Sequence, residues 1–366
     1  MTAIPAPDYV RAIAPYQAGK PISELAREYG LDEERIVKLA SNENPLGIPE
    51  SARSAMLAAF GELSRYPDSN GFDLKAAIAR RYSVPPDWIT LGNGSNDVLE
   101  LAAHALLQPG ASAVYSQYSF AVYALATQET GARAIVVPAR DLGHDLPAMR
   151  ASIATDTRIV FVANPNNPTG TWLPRDEVEA FVASVPPDVV VVLDEAYDEY
   201  LDPELRSDSI GRVREHPNLI VCRTFSKAYG LAGLRVGFGI AQPELTDLMN
   251  RVRQPFNVSS VAQAAAIAAL DDRAFLQRSY EMNRAGLQRL QGAFERMGLE
   301  YVPSYGNFVL FRVGDAPGVY ESLLRAGVIV RPVANYGLPE WLRVSVGLPE
   351  ENEVFLRALE QALEGS

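Results

Sequence analysis

The chain has 366 residues, which exceeds the usual size of a single domain and predicts two domains on one chain. Its net charge of −12, from 33 basic and 45 acidic side chains, argues against nucleic-acid and anionic-membrane partners, because no broad basic face would neutralise phosphates. The single cysteine, Cys222, excludes an intrachain disulfide and favours a reducing compartment, the cytoplasm. No signal peptide and no apolar run of ~20 residues is recognisable.

Residues 1–40 predict an N-terminal arm and one short helix, associated with a small domain formed by the C-terminal part of the chain. Residues 23–29 have helical spacing, with Ser23 as the expected N-cap and Gly30 as the stop signal. The following turn, Ser41-Asn-Glu-Asn-Pro-Leu-Gly47, is polar and broken by proline, so its simplest interpretation is a connector.

Residues 41–257 alternate between helices and strands and predict a large domain of the α/β class. Several strands are continuous β-branched runs, which is typical of strands buried on both faces in a mainly parallel sheet between helix layers. Seven strands are expected, at residues 88–91, 112–115, 134–138, 158–163, 189–193, 219–223 and 235–240. Functional groups should then lie beyond the carboxyl ends of the strands.

Residues 258–366 predict a linking helix and a smaller α+β domain. The helical pattern runs from 258 to 297, and Asp271 and Asp272 are a candidate break in it. Strands are expected at 305–312, 327–331 and 341–346, with helices at 319–325 and from Glu350 onward.

One lysine carries the strongest chemical signal. Lys227 follows a predicted strand and the residues Thr224-Phe-Ser226, and it precedes closely spaced glycines and Arg235. Its apolar neighbours would desolvate the amine, which lowers the pKa and leaves more of the amine neutral and nucleophilic. Schiff-base chemistry requires such an amine.

Polar clusters follow three predicted strands, at 164–170, 194–197 and 224–227, and turn chemistry alone does not explain an acid and a lysine among them. The glycine-rich turn 92–97 opens a predicted helix, where backbone amides could seat a phosphate. The three histidines, His104, His144 and His216, are scattered and predict no metal site.

Taken together, these motifs resemble the class I and II aminotransferases, which are pyridoxal-phosphate enzymes of fold type I with an aspartate aminotransferase-like fold. Within that family the chain resembles the histidinol-phosphate aminotransferases, from about Asp8 to the C-terminus. The motifs that carry the resemblance are Ser41–Gly47, Arg65-Tyr-Pro-Asp68, Gly92-Asn-Gly-Ser-Asn96, Asn164-Pro-Asn-Asn-Pro-Thr-Gly170, Asp194-Glu-Ala-Tyr197, Ser226-Lys-Ala-Tyr-Gly-Leu-Ala-Gly-Leu-Arg235 and Leu342-Arg-Val-Ser-Val-Gly347.

The resemblance implies roles around pyridoxal 5'-phosphate. Lys227 would carry the cofactor and move the proton between the substrate and cofactor carbons, and Asp194 would pair with the ring nitrogen. Asn167 and Tyr197 would hydrogen-bond the phenolic oxygen. Tyr118 is expected to stack on the ring, with Phe120 as its competitor and core packing as the alternative. The phosphate would be held by Ser95, Asn96, Thr224, Ser226 and Arg235.

The resemblance also implies how substrate and a second subunit are engaged. Arg343 matches the arginine that grips an α-carboxylate, and Arg331 and Tyr16 match positions that contact a substrate phosphate. Arg331 could instead simply end its strand, and Tyr16 could pack within the arm. Tyr66 matches a tyrosine that reaches the cofactor phosphate of the neighbouring subunit, which implies a homodimer with shared active sites. Local packing of Tyr66 in its turn is the alternative.

The expected reaction is therefore ping-pong amino transfer from histidinol phosphate to 2-oxoglutarate, giving imidazole-acetol phosphate and glutamate. Transamination of aromatic amino acids such as phenylalanine, tyrosine or a prephenate-type precursor is the main alternative, because a hydrophobic pocket discriminates by only ~1–3 kcal/mol per small group. A threonine-phosphate-type decarboxylase is a third possibility. A regulatory domain that keeps the cofactor fold would be expected to have a DNA-binding module ahead of Asp8, where no such pattern is recognisable.

Overall fold

A seven-stranded and a four-stranded β-sheet organise the molecule, together with a two-stranded sheet, and the computed structural model describes residues 4–15 and 19–364. The strands of the described part are β1 Val37–Lys38, β2 Ile89–Gly92, β3 Ser112–Ser116, β4 Arg133–Val137, β5 Thr157–Ala163, β6 Val190–Asp194, β7 Leu219–Thr224, β8 Gly237–Ile240, β9 Tyr301–Val302, β10 Phe308–Arg312, β11 Val328–Ile329, β12 Arg331–Pro332 and β13 Trp341–Ser345. Its α-helices are α1 Asp8–Arg11, α2 Ile22–Tyr29, α3 Glu50–Ala59, α4 Phe72–Tyr82, α5 Ser95–Leu106, α6 Ala121–Glu129, α7 Leu146–Ala151, α8 Arg175–Ser184, α9 Ser209–Arg212, α10 Pro243–Val252, α11 Ser260–Asp271, α12 Arg273–Arg296, α13 Ala316–Arg325 and α14 Pro349–Glu364.

The large sheet has seven strands in the order β2-β8-β7-β6-β5-β3-β4. Only β8 runs antiparallel, to both of its neighbours, so the predicted α/β fold with a mainly parallel seven-stranded sheet is confirmed. The central strands β6 and β7 are buried along their whole length, as their β-branched sequences predict, whereas the edge strand β4 is largely exposed. Apolar side chains cover both faces of the sheet.

The register of β5, β6 and β7 determines where the functional residues lie. Ala163 pairs with Asp194, and Asp194 pairs with Cys222, so the three parallel strands end at the same edge of the sheet. The polar clusters that follow these strands are therefore brought together, although they are separated by about thirty residues in sequence.

The small sheet is antiparallel, with the order β12-β13-β10-β9, and is built entirely from the C-terminal part of the chain. The N-terminal segment packs against the same part of the chain: β1 forms a separate two-stranded parallel sheet with β11, and Leu25 of α2 packs with Leu324 and Ile329. This packing fits the predicted division into residues 1–40, 41–257 and 258–366, which stays a prediction. The break at Asp272 is present, and its carboxylate caps α12 by accepting from the Phe275 amide at 2.9 Å.

Two local expectations differ from the structure. Ser23 does not cap α2, because the helix begins one residue earlier, directly after Pro21; Gly30 ends it in the left-handed conformation as predicted. The helix α10 was not expected; its first residue, Pro243, is tolerated because the first amide of a helix needs no intrahelical partner. Within the described ranges, no helix is both long and apolar enough to cross a membrane.

Candidate active site

A cavity of about 200 Å³ lies at the carboxyl ends of β5, β6 and β7, with residues of the small sheet closing one side. Its walls collect eleven of the residues expected from the sequence: Ser95, Asn96, Asn167, Asp194, Tyr197, Thr224, Ser226, Lys227, Arg235, Arg331 and Arg343. Tyr16 lies outside the described residues, and Tyr66 and Tyr118 do not line the cavity.

Lys227 lies between the large sheet and the segment that precedes α3. Its Nζ donates to the backbone oxygen of Ser41 at 3.1 Å. Burial, with a smaller contribution from the positive charge of Arg343, lowers the pKa of Lys227 to about 8, although Glu43 opposes the shift. A much larger fraction of this amine is therefore neutral near pH 7 than in an exposed lysine, as the apolar neighbours predict.

Asp194 is a buried carboxylate at the end of β6. It accepts hydrogen bonds from the Tyr123 hydroxyl at 2.8 Å and from the Ala196 amide at 3.2 Å. Burial raises the pKa of Asp194 to about 6 despite these bonds and the positive charge of Lys227. A cation placed in the cavity beside this carboxylate would reverse part of that shift.

The amino end of α5 opens into the cavity and forms an anion seat. No side chain caps this twelve-residue helix, so its first amides and the positive end of its dipole are directed toward the cavity. Gly94 and Gly237 allow the close packing, because a Cβ on them would lie 2.4 Å from Arg235 Nη2 and from the Ser95 amide nitrogen, respectively.

Side chains from β7 and the turn after it complete this anion seat. The guanidinium of Arg235 donates to Ser226 Oγ at 3.3 Å and to the backbone oxygen of Ala232 at 2.9 Å. Thr224 Oγ1 accepts from the Ser226 amide at 3.1 Å. Two hydroxyls and one guanidinium therefore converge on the same helix end, an arrangement that suits a phosphate group.

Tyr197, Asn167 and Arg343 form a polar wall on the opposite side. The Arg343 guanidinium donates to Asn167 Oδ1, which leaves the Asn167 NH₂ group available to donate elsewhere. Phe308 lies between Arg343 and Tyr197. The centre of its ring is 5.1 Å from the Arg343 guanidinium carbon and 5.3 Å from the centre of the Tyr197 ring. Large apolar contacts thus hold the polar groups of this wall in place.

Two arginines of the small sheet stand side by side. Arg331 of β12 and Arg343 of β13 are directly opposite in the antiparallel register, and both line the cavity. Both side chains are buried. Like charges at opposite positions destabilise a sheet, so this pair indicates a site for a ligand with strong negative charge.

The structure places the two candidate stacking rings, Tyr118 and Phe120, differently, and the stacking role of Tyr118 stays a prediction. Tyr118 packs with Val333 and Leu338, which lie between β12 and β13, while its backbone oxygen accepts from the Asn166 side chain. Phe120, the competitor two residues later, lines the cavity instead. The turn after β3 directs the two residues to different places, and spacing alone could not distinguish them.

Tyr66 is 83% exposed and lies away from the cavity of its own subunit. Its ring stacks on Phe256 with centroids 4.6 Å apart, and the Phe256 backbone adopts a left-handed conformation with φ 60°. A bulky residue rarely adopts that conformation, so the backbone of the loop that supports Tyr66 is strained at Phe256.

Among the cavity residues that were not identified from the sequence as site residues are Asn42, Tyr123 and Tyr336. Asn42 belongs to the turn 41–47, which was interpreted as a connector apart from the family resemblance. Tyr123 hydrogen-bonds Asp194 and stacks on Phe161 with centroids 4.8 Å apart. Tyr336 lines the cavity from the turn between β12 and β13. Of these, Tyr123 carried a usable signal, since it lies three residues after Phe120, the residue that directly precedes α6.

Comparisons with known proteins agree on one family. Residues 34–359 match the family model described as aminotransferase class I and II. The chain is 70% identical over 361 residues to histidinol-phosphate aminotransferase 1 of Cupriavidus pinatubonensis, a match covering 98% of this chain and 96% of that protein. It is 68% identical, with the same coverage, to histidinol-phosphate aminotransferase 2 of Ralstonia nicotianae.

A solved structure supports the same relationship. The histidinol-phosphate aminotransferase of Sinorhizobium meliloti, crystallised in complex with pyridoxal-5'-phosphate, superimposes with a TM-score of 0.90 at 30% identity. The match covers 98% of this chain and 97% of that one. The similarity therefore extends over both sheets and the cavity between them.

Proposed function

The chain belongs to the class I and II aminotransferases, and from this premise we propose that it transfers the amino group of histidinol phosphate to 2-oxoglutarate with pyridoxal phosphate as its cofactor. The products are imidazole-acetol phosphate and glutamate. This reaction belongs to histidine biosynthesis and proceeds by two half-reactions in one site.

The donor groups of the cavity fit pyridoxal phosphate. The uncapped end of α5, with Ser95, Asn96, Thr224, Ser226 and Arg235 around it, suits the phosphate. Asp194 suits a protonated ring nitrogen, because its buried carboxylate gains a counter-charge there. Asn167 and Tyr197 can donate to a phenolic oxygen, and Phe120 offers a ring for stacking.

When bound, pyridoxal phosphate supplies an electron sink that stabilises negative charge on the substrate carbon. Lys227 contributes a primary amine that is partly neutral near pH 7 and can therefore take a proton from the substrate carbon and return it. Asp194 holds the ring nitrogen in its charged form, and Asn167 and Tyr197 orient the ring by their hydrogen bonds.

The juxtaposition of Arg331 and Arg343 carries the assignment of substrate class. Two buried guanidiniums at opposite positions of adjacent strands favour a ligand with a phosphate or two carboxylates. Histidinol phosphate supplies a phosphate, and glutamate and 2-oxoglutarate supply two carboxylates each. Aromatic amino acid transamination and decarboxylation of a threonine-phosphate-type substrate are not favoured, because the relatives at 68–70% identity are named for histidinol phosphate.

Replacing Arg331 by glutamine tests this substrate assignment. We expect kcat/KM for histidinol phosphate to fall roughly 10- to 100-fold, as expected for losing a hydrogen bond to a charged group. For phenylalanine, whose side chain has no anion, the fall should be less than about threefold. Steady-state kinetics with both amino donors measure this difference, with Arg325→Gln as an exposed arginine control. An equal loss for both donors would contradict the assignment.

We further propose a homodimer in which Tyr66 of each subunit contributes to the partner's active site. Tyr66 is exposed, is supported by the Phe256 ring and is not among the residues that line its own cavity. Other large apolar side chains of the same part of the chain are also exposed, namely Leu57, Phe60, Leu63 and Phe72. Such an accumulation of exposed apolar groups is typical of a subunit interface.

Hybrid dimers test the shared site. Mixed Lys227→Ala and Tyr66→Ala subunits should regain activity above the average of the two parent proteins, because one of the two sites then has both Lys227 and Tyr66. Tyr66→Ala alone should lose roughly tenfold in activity. The assay is amino transfer after denaturing and refolding the mixture, with each parent refolded alone as the control. If mixing restores nothing, Tyr66 does not act across the interface.

We also place the enzyme in the cytoplasm. Its single cysteine, Cys222, is buried, and burial raises the pKa of its thiol well above the ordinary value. A chain with a single cysteine can form no intrachain disulfide, so its thiol chemistry requires no oxidising compartment.

A further inference from the structure

We call residues 39–42 the crossing segment. Its four consecutive backbone oxygens accept hydrogen bonds from the large-sheet and small-sheet parts of the chain. The Leu39 oxygen accepts from the Ser345 amide at 2.8 Å, and the Ala40 oxygen accepts from the Arg343 guanidinium at 2.9 Å. The Ser41 oxygen accepts from Lys227 at 3.1 Å, and the Asn42 oxygen accepts from the Asn307 side chain at 3.0 Å. The crossing segment thus ties Lys227, in the turn after β7, to Arg343 of the small sheet.

Asn42 is the most constrained residue of this segment. It is 1% exposed, and its φ of 54° lies in the left-handed region, which asparagine tolerates better than most residues. Its backbone amide donates to Ser345 Oγ at 2.8 Å, its Oδ1 is 3.0 Å from the same hydroxyl, and its Nδ2 donates to the Tyr197 hydroxyl oxygen at 3.0 Å. One side chain therefore connects the small sheet to the phenol at the cavity wall.

The hydrogen bonds of Ser345 determine the orientation of the Asn42 side-chain amide. The Ser345 hydroxyl accepts from the Asn42 backbone amide and gives its only hydrogen to Asn42 Oδ1. The NH₂ group of Asn42 is then left facing Tyr197, and it occupies a lone pair of the phenol oxygen. Because the phenol has a single hydrogen, and that hydrogen is not used toward Asn42, Tyr197 remains a donor toward the cavity.

We propose that Asn42 is a positioning residue that keeps Tyr197 as a hydrogen-bond donor toward the phenolic oxygen of the cofactor, an inference that rests on the proposed function. A donated hydrogen bond stabilises the ionised form of that oxygen and lowers its pKa. Loss of the Asn42 side chain frees the phenol to turn its hydrogen away. The pKa of the bound cofactor should then rise, and turnover should fall without a matching loss of substrate binding.

The test uses Asn42→Gly, because glycine keeps the left-handed backbone while removing the amide. We expect the pH midpoint of the visible absorbance of the holoenzyme to rise by about one unit. We expect kcat to fall roughly tenfold, with KM changed by less than about threefold. Asn44→Ala is the matched control: Asn44 is a buried asparagine of the same turn that bonds Ala228 and Ser279 instead of Tyr197, and its loss should leave the midpoint in place.

A double-mutant cycle with Tyr197→Phe separates this role from a structural one. If Asn42 acts through the phenol, Asn42→Gly should add less than about twofold in kcat, and no further midpoint shift, once Tyr197 is phenylalanine. Ser345→Ala places an alanine in β13, which a strand tolerates, and should raise the pH midpoint of the absorbance by a smaller amount than Asn42→Gly does. This variant keeps the inference testable if Asn42→Gly folds poorly, which thermal unfolding of the cofactor-free protein would reveal.

Two outcomes would overturn the inference in distinguishable ways. If the wild-type protein takes up no pyridoxal phosphate, the proposed function and the inference both fail. If the wild-type holoenzyme titrates and turns over but Asn42→Gly has the same effect with tyrosine and with phenylalanine at position 197, the inference alone fails.

Discussion

Replacing Lys227 by alanine should reduce amino transfer by at least ~10⁴-fold while leaving the fold intact. The residue combines two functions in one amine, attachment of the cofactor and movement of the substrate proton, and proton transfer by a positioned side chain alone accounts for ~10²–10⁴-fold. A loss of 10⁴-fold corresponds to about 5 kcal/mol of transition-state stabilisation. The purified variant is assayed for transfer from histidinol phosphate to 2-oxoglutarate at saturating concentrations of both.

Structural damage can be separated from the loss of chemistry at this position. The only hydrogen bond of the Lys227 amine that the structure shows goes to the backbone oxygen of Ser41, so the cost to folding should stay within about 1 kcal/mol. Lys227→Arg is the matched control, because it keeps a cation there but cannot act as a neutral nucleophile near pH 7. Both variants should unfold at nearly the wild-type temperature, and turnover by either one above a hundredth of the wild-type rate would overturn the assignment.

Replacing Asp194 by asparagine should lower kcat on the order of 10²- to 10³-fold, comparable to removing a preorganised electrostatic contact. Asparagine preserves the shape and can still accept from the Tyr123 hydroxyl, but it cannot hold a ring nitrogen in its protonated form. Asp156→Asn is a suitable control, since Asp156 pairs with Arg133 at the surface far along the same sheet. Wild-type kinetics in the Asp194 variant would contradict the role.

The pH dependence of cofactor binding offers an independent check on Asp194. Burial raises the pKa of this carboxyl to about 6 in the cofactor-free protein, so it is increasingly protonated below pH 6 and ionised above it. Only the ionised form pairs with a cationic ring nitrogen, so the affinity of the cofactor-free protein for pyridoxal phosphate should fall as the pH drops through 6. Equilibrium titrations with pyridoxal phosphate should show this loss of affinity at acid pH for the wild type. The Asp194→Asn variant should not show it.

The polar clusters at strand ends could be predicted because they depend on local sequence and on a general property of parallel sheets. Continuous β-branched strands indicate a buried parallel sheet, and the side chains that follow such strands meet at one edge. Asp194 and Lys227 were therefore expected in one site, and the pairing of Asp194 with Cys222 brings their strands together. The lowered pKa of Lys227 follows from the same local burial.

Features that depend on register between distant segments could not be predicted. Arg331 and Arg343 are twelve residues apart, and only the antiparallel pairing of β12 with β13 sets them opposite each other. Asn42 contacts Ser345 across more than three hundred residues, and a polar turn gives no sign of such a contact. The choice between Tyr118 and Phe120 as the stacking ring stays open for the same reason, because the direction of a side chain in a turn depends on backbone angles that spacing does not encode.

The most direct measurement follows the visible absorbance of the holoenzyme while histidinol phosphate is added alone, and then 2-oxoglutarate. The proposed reaction predicts that the first addition converts the bound cofactor from its aldehyde-derived form to its amine form, with one imidazole-acetol phosphate produced per active site. The second addition should restore the original spectrum and release one glutamate. A spectrum that histidinol phosphate leaves unchanged, while an aromatic amino acid converts it, would contradict the proposed function.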